Sequence, residues 1–399
     1  MKISKVFLAL AAFLFMTPAA EATDLTYLHW TPNWDAVKYD LILSTRDLLH
    51  RSIRHQTVYM SDVLLPSIYM QKEKDWQWQA RPLDFDGNPI GPISSPKLFR
   101  GSARIVSRNA PLPRRDVSGR RGGTLLYPVY SYVGNPGIST YEIEVLSEYP
   151  ENVNGTAHSM YHIGGGDFQY TDYYDEPPRF GTWYWRVRGK DKYGRAVGEW
   201  SLPQKRTLST KGWTIGLFGD SITHGGGRMS YGPNDLAYSY GSYLDFDTIN
   251  LSNSGDTSET MVERFERDVL PFHLKYLLIL GGTNSLRGGV PAEEVIGNLS
   301  TIRQKCRDYG IVPILLTLPP INPESTQKVF GEPTVENWQE QFARVNAWIR
   351  TQPHIDTAAA FDETKPMPVD YAVDGLHGDV RAKKLMAQVI NAHIGEFVK

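Results

Sequence analysis

The sequence has almost no cysteine, almost no net charge and no apolar run long enough to cross a membrane. Cys306 is the single cysteine among 399 residues, which excludes an intrachain disulfide framework, a cysteine-rich zinc site and an iron–sulfur cluster. The formal charge of −2 gives no global attraction to nucleic acid or to anionic lipid. A hydrophobic fraction of 41% is sufficient for packed cores, so the composition is that of a globular protein.

The first 22 residues have the pattern of a secretory signal. Lys2 and Lys5 form a short positive region, residues 6–16 are apolar, and residues 20–22 (Ala-Glu-Ala) form a cleavage site. An apolar run of this length cannot span a bilayer core about 30 Å thick, which disfavours a membrane anchor. Because no cysteine for a lipid anchor lies near the cleavage site, we expect a secreted or periplasmic protein that starts near Thr23.

The first half of the chain contains an internal repeat with a constant offset of 107 residues. The matching pairs are Trp78/Trp185, Asp84/Asp191, Gly87/Gly194 and Gly91/Gly198. In both copies an alternating apolar pattern leads into an Asp-x-x-Gly turn, which predicts antiparallel strands joined by a hairpin. We therefore predict two all-β sandwich modules, at residues 23–96 and 124–208.

The second copy has Tyr-x-Ile-x-Val at 141–145, Trp-x-Val-Arg at 185–188 and Gly-Glu-Trp-Ser at 198–201. With these motifs it resembles fibronectin type III or similar immunoglobulin-like modules, which are mostly spacers or binding platforms. The resemblance leaves open whether the modules contact polysaccharide or only brace the rest of the chain. Between the modules, residues 97–123 hold eight Lys or Arg and one acid, Asp116, which indicates a solvated basic linker or, alternatively, a docking site for an anionic polymer.

From residue 211 onward, short apolar strands alternate with amphipathic helices. Strands are predicted at 213–219, 248–252, 276–281 and 311–318, and helices at 292–309, 335–349 and 380–394. This alternation predicts a three-layer α/β domain at 211–399, with a flavodoxin-like parallel sheet. Ligands are expected at the carboxyl ends of its strands.

The predicted strand ends carry the residue types of a serine hydrolase. Ser221 directly follows the first strand, where its hydroxyl is a candidate nucleophile or, alternatively, a helix N-cap. Asp374 precedes His377 by three residues, so the carboxylate can hold Nδ1 while Nε2 faces a serine; taken alone, this pair could equally be a cap and a surface histidine. Gly255 and Asn284 end the next two strands, where an N–H and an amide can converge on one oxygen, although each alone indicates only a turn.

Together these motifs resemble the SGNH, or GDSL, hydrolase family over residues 211–397. Its four sequence blocks occur in order, as Gly-Asp-Ser-Ile-Thr-His-Gly at 219–225, Gly255, Gly-Thr-Asn at 282–284 and Asp-x-x-His at 374–377. The resemblance implies that Ser221 is the nucleophile, His377 the general base and Asp374 its orienter. It also implies an oxyanion hole made of the N–H groups of Ser221 and Gly255 and the amide of Asn284.

The same resemblance requires no metal or organic cofactor, and the remaining histidines lack ligand spacing. The chain departs from the family at Ser285, where many members carry Asp, and this affects loop geometry more than the catalytic assignment. His224 is either a substrate contact or a loop histidine, and Cys306 is expected to be an inert core residue.

These patterns favour a secreted serine esterase that removes small acyl groups, above all O-acetyl, from carbohydrate. The acetyl-sugar specificity rests on analogy with the family. The alternatives are a lipase, lysophospholipase or thioesterase of the same family, or a non-catalytic carbohydrate-binding surface protein. An acylated carbohydrate or another small ester is therefore the expected partner, and no nucleic acid is expected.

Overall fold

The computed structural model describes residues 24–46, 52–71 and 75–398. The predicted secretory signal at residues 1–22 lies outside these ranges. The described chain consists of two antiparallel β-sandwiches followed by an α/β domain, in agreement with the fold predicted from the sequence.

The first sandwich packs a three-stranded sheet against a four-stranded sheet. Its strands are β1 (Leu25–His29), β2 (Lys38–Thr45), β3 (Ile53–Val58), β4 (Asp62–Pro66), β5 (Trp76–Leu83), β6 (Lys97–Leu98) and β7 (Ala103–Val106). The strand orders are β4-β1-β7 and β3-β2-β5-β6. Alternate residues of β2 and β5 point into the apolar core between the sheets, as a half-buried strand requires.

The second sandwich has a related arrangement, with a three-stranded and a five-stranded sheet. Its strands are β8 (Leu112–Pro113), β9 (Val129–Val133), β10 (Thr140–Leu146), β11 (His162–Phe168), β12 (Asp172–Tyr174), β13 (Gly181–Lys190), β14 (Ala196–Val197) and β15 (Gln204–Leu208). The strand orders are β12-β9-β8 and β11-β10-β13-β14, with β15 also paired to β13. The repeated tryptophans Trp78 and Trp185 lie buried in the equivalent strands β5 and β13. The repeat in the sequence is therefore a repeat in the structure.

The segment expected to be a solvated linker is largely part of the two sandwiches. Strand β6 pairs with β5, β7 pairs with β1, and β8 pairs with β9. Its basic side chains are also used in contacts: Arg114 donates to Asp62 at 2.6 Å, and Arg108 donates to the Trp200 carbonyl at 2.6 Å. The linker expectation is therefore wrong for these residues. Their positive charge indicated a solvated chain, but strand pairing and ion pairs fix the segment against the two sandwiches.

The α/β domain is built on a five-stranded parallel sheet. Its strands are β16 (Ile215–Gly219), β17 (Ile249–Asn250), β18 (Tyr276–Leu280), β19 (Val312–Leu316) and β20 (His354–Ile355). Its helices are α1 (Ser221–His224), α2 (Ser258–Val269), α3 (Thr283–Arg287), α4 (Ala292–Asp308), α5 (Pro323–Phe330), α6 (Trp338–Ile349) and α7 (Val380–His393). The strand order β17-β16-β18-β19-β20 is the flavodoxin-like order. Strand β20 and helices α1, α2, α3 and α5 were not among the predicted elements.

The second sandwich is joined directly to the α/β sheet. Leu125 forms a parallel bridge with Asn250 on the edge strand β17, and the N–H of Leu126 donates to the Asn250 carbonyl at 2.9 Å. Tyr130 and Trp185 of the sandwich belong to the same apolar cluster as Leu217 of β16. The sandwich is therefore continuous with the α/β core, and its position relative to the strand ends is defined by packing.

Candidate active site

Three neighbouring strands of the parallel sheet end beside one another and carry the candidate residues. Ser221 follows the central strand β16, Gly255 follows β17, and Asn284 follows β18. Adjacent strands lie about 4.8 Å apart, so their loops meet at one edge of the sheet. The loop after Tyr371 brings His377 to the same edge, directly before α7.

Ser221, His377 and Asp374 form a continuous hydrogen-bonded relay. The Ser221 Oγ lies 2.8 Å from Nε2 of His377, and Nδ1 of His377 lies 2.9 Å from the Asp374 carboxylate. Because a carboxylate only accepts, Nδ1 carries a hydrogen and Nε2 is left to accept from the serine hydroxyl. The structure thus brings together the three residues that the sequence predicted, although Ser221 and His377 are 156 positions apart in the chain.

The Asp374 carboxylate is buried and fully engaged. Its second oxygen accepts from the N–H groups of Leu376 at 2.9 Å and of His377 at 2.7 Å. Burial alone would raise the pKa of this carboxyl, but the His377 imidazole and the hydrogen bonds lower the pKa below its ordinary value. Asp374 is therefore held as an anion, which can both orient the imidazole and stabilise its protonated form.

The turn that presents Ser221 is itself capped. The Asp220 carboxylate accepts from the Ile222 N–H at 2.9 Å, which makes Asp220, rather than Ser221, the N-cap of α1. Lys383 on α7 is fully buried, and its Nζ donates to the Ile222 carbonyl at 2.7 Å. Burial lowers the pKa of Lys383 to about 8, against the opposing effect of nearby carboxylates. Sequence analysis missed Lys383, because a lysine on an amphipathic helix is normally solvent-exposed.

The three candidate oxyanion donors are available at this edge. The N–H groups of Ser221 and Gly255 make no hydrogen bond within the described part of the chain. The Asn284 amide donates one hydrogen to the Asp256 carbonyl at 2.9 Å, and its oxygen accepts from Arg287 at 3.3 Å. These two bonds orient the side chain and leave its second N–H available.

Arg264 of α2 forms hydrogen bonds with the chain segments at the ends of β16 and β17. Its guanidinium donates to the Asp256 carboxylate at 2.5 Å, to the Leu251 carbonyl at 2.6 Å and to the Gly219 carbonyl at 3.1 Å. A single buried side chain therefore connects the ends of β16 and β17. The sequence held no signal for this role, since α2 was not predicted.

His224 connects the active-site edge to the second sandwich. Its Nε2 lies 2.8 Å from the Tyr127 carbonyl, and its Nδ1 lies 2.8 Å from the Ser254 hydroxyl. Burial lowers the pKa of His224 to about 4, so the ring is neutral at physiological pH. A carbonyl only accepts, hence Nε2 carries the hydrogen and Ser254 donates to Nδ1. With both nitrogens occupied and 1% of the residue exposed, the structure favours the loop histidine over the substrate contact.

The structure also shows the surroundings of Ser285 and Cys306. Ser285, the departure from the family pattern, accepts from the Ser258 N–H at 2.9 Å and so joins α3 to the start of α2. Cys306 is buried in the core, where burial raises the pKa of its thiol to about 12. A thiol in that state is inert.

No group of three or more His, Cys, Asp or Glu side chains in residues 24–46, 52–71 and 75–398 is arranged to hold a metal ion. In the same ranges, no helix has both the length and the apolar character needed to cross a bilayer.

Comparison with known families finds a match in the α/β domain. The model of the GDSL-like lipase/acylhydrolase family matches residues 217–383. An uncharacterized lipoprotein of Bacillus subtilis is 34% identical over 116 residues, which are 26% of this chain and 47% of that protein. The chain thus spans about half the length of this curated relative.

Solved structures similar to the chain include three hydrolases. A lipase/acylhydrolase from Enterococcus faecalis is 23% identical, with 47% of this chain and 97% of that one covered and a TM-score of 0.38. A GDSL-like lipase from Bacteroides thetaiotaomicron is 20% identical, with 46% and 89% covered and a TM-score of 0.38. A catalytic mutant of an acetylxylan esterase from Geobacillus stearothermophilus is 20% identical, with 46% and 95% covered and a TM-score of 0.35. The match to the GDSL-like lipase/acylhydrolase family model, at residues 217–383, includes the triad and the three candidate oxyanion donors.

Proposed function

We propose that this protein is an exported serine esterase that removes small acyl groups, above all O-acetyl, from carbohydrate. The observation that carries the proposal is the relay from Ser221 Oγ through His377 to Asp374, with distances of 2.8 and 2.9 Å. Export rests on the signal pattern of residues 1–22.

In this proposal Ser221 attacks the ester carbonyl while His377 removes its proton. A serine hydroxyl is a weak nucleophile at its own pKa and requires such a base. The negative charge that develops on the carbonyl oxygen is stabilised by the N–H groups of Ser221 and Gly255 and by the Asn284 amide. His377 then protonates the leaving alcohol, and water repeats the attack on the acyl-enzyme to release the acid.

The polar surroundings of Asn284 favour a small acyl group on a polar alcohol. Arg287 lies 3.3 Å from the Asn284 amide oxygen and forms an ion pair with Glu332. A long alkyl chain lying over this pair would remove it from water without replacing its hydrogen bonds, which is costly. A hydroxylated sugar can make such hydrogen bonds itself.

The decisive experiment measures acetate release from a panel of acetylated polysaccharides by the wild-type protein and by Ser221→Ala. We expect release by the wild type and none by the variant. A parallel series of synthetic esters from acetyl to octanoyl tests the acyl preference. Turnover that rises with chain length, without acetate release from any polysaccharide, would indicate a lipase or thioesterase. Wild-type activity in Ser221→Ala would place the chemistry outside this site.

A further inference from the structure

A cleft of about 340 Å³ separates the first sandwich from the α/β domain. One wall is the loop at residues 32–35, which follows β1, and the other is formed by Arg228, Asp370 and the first turns of α7. None of the residues that line the cleft belongs to the triad or to the candidate oxyanion hole. The function proposed above leaves this cleft unexplained.

Trp34 provides an aromatic surface in this cleft. It is 44% exposed, and its ring packs at 62° against that of the buried Tyr238, with the ring centres 6.2 Å apart. The loop that carries it is held by its own hydrogen bonds, since the Asp35 N–H donates to the Asn33 side chain at 2.9 Å and the Asn33 N–H donates to the Tyr39 hydroxyl at 2.8 Å. The position of the indole is therefore defined before any ligand arrives, which lowers the entropic cost of binding.

The charged groups of the cleft are balanced. Three cationic side chains and three carboxylates line it, namely Arg228, Arg381, Lys384, Asp35, Asp370 and Asp379. Arg381 lies 3.1 Å from Asp35, so a cation and a carboxylate stand next to each other on the two walls. Such a surface carries charges of both signs, and it offers many hydrogen-bond donors and acceptors beside an apolar ring. A neutral polyhydroxylated ligand matches this combination.

Arg228 has the features of a binding-site residue. Its side chain is 6% exposed, its Nη1 donates to the Asp35 carbonyl at 3.1 Å, and its Nε makes no hydrogen bond, although Asp379 lies 3.4 Å away. Arg228 and Met229 have φ values of 44° and 58°, a left-handed conformation that is costly for residues other than glycine. Backbone strain of this kind and unsatisfied buried donors both concentrate at functional sites.

The cleft begins close to the triad. Asp379 in its wall follows His377 by two residues, which limits the separation of their Cα atoms to about 7 Å. Gly227 packs against this wall, since a Cβ at this position would come within 2.9 Å of the Asp379 carboxylate. The cleft therefore adjoins the loop that carries the candidate general base.

We propose that this cleft binds a neutral glycan, with Trp34 stacking on the apolar face of one sugar ring and with Asp35 and Arg381 binding its hydroxyl groups. The inference rests on the proposed function, because it assigns a place outside the triad to the sugar chain of the same substrate. It also assigns a function to the first sandwich, because the loop that carries Trp34 belongs to that sandwich.

The test uses the full-length chain with Ser221→Ala, so that binding is measured without turnover. Isothermal titration with xylohexaose, mannohexaose and cellohexaose, and with hexagalacturonate as a charged probe, gives the affinities. We expect at least one neutral hexasaccharide to bind. Adding Trp34→Ala is expected to weaken that binding about tenfold or more, as is typical when a tryptophan at the centre of an interface is removed. Adding Tyr193→Ala, which removes an exposed aromatic residue of the second sandwich, is the matched control and should leave the affinity unchanged.

Arg381→Ala is the second variant, and circular dichroism verifies that each protein is folded. Unchanged affinity in folded Trp34→Ala and Arg381→Ala proteins would overturn the proposal, as would the absence of binding or tighter binding of hexagalacturonate. Hydrolysis of an aryl acetate by the wild-type protein is measured separately. Esterase activity without glycan binding would overturn the glycan site alone. Trp34-dependent binding without esterase activity would support the glycan site and overturn the proposed esterase function.

Discussion

Nε2 of His224 lies 2.8 Å from the carbonyl oxygen of Tyr127 and joins the second sandwich to the active-site edge. On its other side the same ring accepts from Ser254, whose peptide bond to Gly255 carries a candidate oxyanion donor. Two hydrogen bonds thus separate the sandwich backbone from the peptide that would contact the reacting oxygen. We infer that the second sandwich helps to hold that peptide in position.

Ser254→Ala tests this connection. The variant removes the bond to His224, so the Gly255 N–H should be less well placed, and we expect kcat on an aryl acetate to fall about tenfold with little change in KM. Ser254→Thr keeps the hydroxyl and is the matched control. An unchanged kcat in Ser254→Ala would show that the loop holds its position without His224.

The buried neutral state of His224 predicts a dependence of stability on pH. The pKa is about 4 in the folded protein and about 6.5 in an unfolded chain. Between these values the unfolded state binds more protons, so the free energy of unfolding decreases as the pH falls, by about 3 kcal/mol over the whole window. Urea unfolding at pH 7 and pH 4.5 should show a smaller loss for His224→Gln than for the wild type. The exposed His393→Gln should behave like the wild type, and parallel losses in all three proteins would contradict the prediction.

Asn284→Ala should lower kcat by about 10²–10³ with little change in KM, because the amide acts on charge that develops only in the transition state. The measurement is steady-state hydrolysis of an aryl acetate. Asn88→Ala, on the exposed hairpin of the first sandwich, serves as the control. A change confined to KM would assign Asn284 to substrate binding instead.

Asp374→Asn should reduce kcat by about 10⁴, because an amide at this position no longer selects the imidazole tautomer with its hydrogen on Nδ1. Steady-state kinetics across pH 5–9 is the measurement. A kcat of Asp374→Asn within tenfold of the wild-type value at every pH would contradict this role of Asp374.

Gly227→Ala should destabilise the protein by about 1–3 kcal/mol, since a Cβ at this position would lie 2.7 Å from the Tyr238 ring in a packed loop. Gly297 on α4 has no atom within 4 Å of its corresponding position. Gly297→Ala should therefore stabilise the helix by up to about 1 kcal/mol. Thermal unfolding compares the two variants, and equal shifts in Tm would contradict the steric argument.

Local patterns in the sequence predicted much of the architecture. The spacing around Trp78 and Trp185 predicted the two sandwiches, since alternation with a period of two is a property of each strand by itself. Strand β20 could not be predicted, because two residues with one polar side chain form no period. Helix α2 was missed although it carries Arg264, whose contacts depend on three segments that are distant in sequence.

For the candidate site, the motifs around Ser221, Gly255, Asn284 and His377 could be predicted from the sequence, because each motif follows its own strand or loop. The sequence by itself determined which side chains could do the chemistry, since residue type and spacing set donor, acceptor and nucleophile. Only the tertiary structure decided that His224 contacts Tyr127, that Lys383 is buried, and that the cleft near Trp34 exists. Those features arise where segments that are distant in the sequence meet, and the free energy of such contacts depends on geometry that no local pattern encodes.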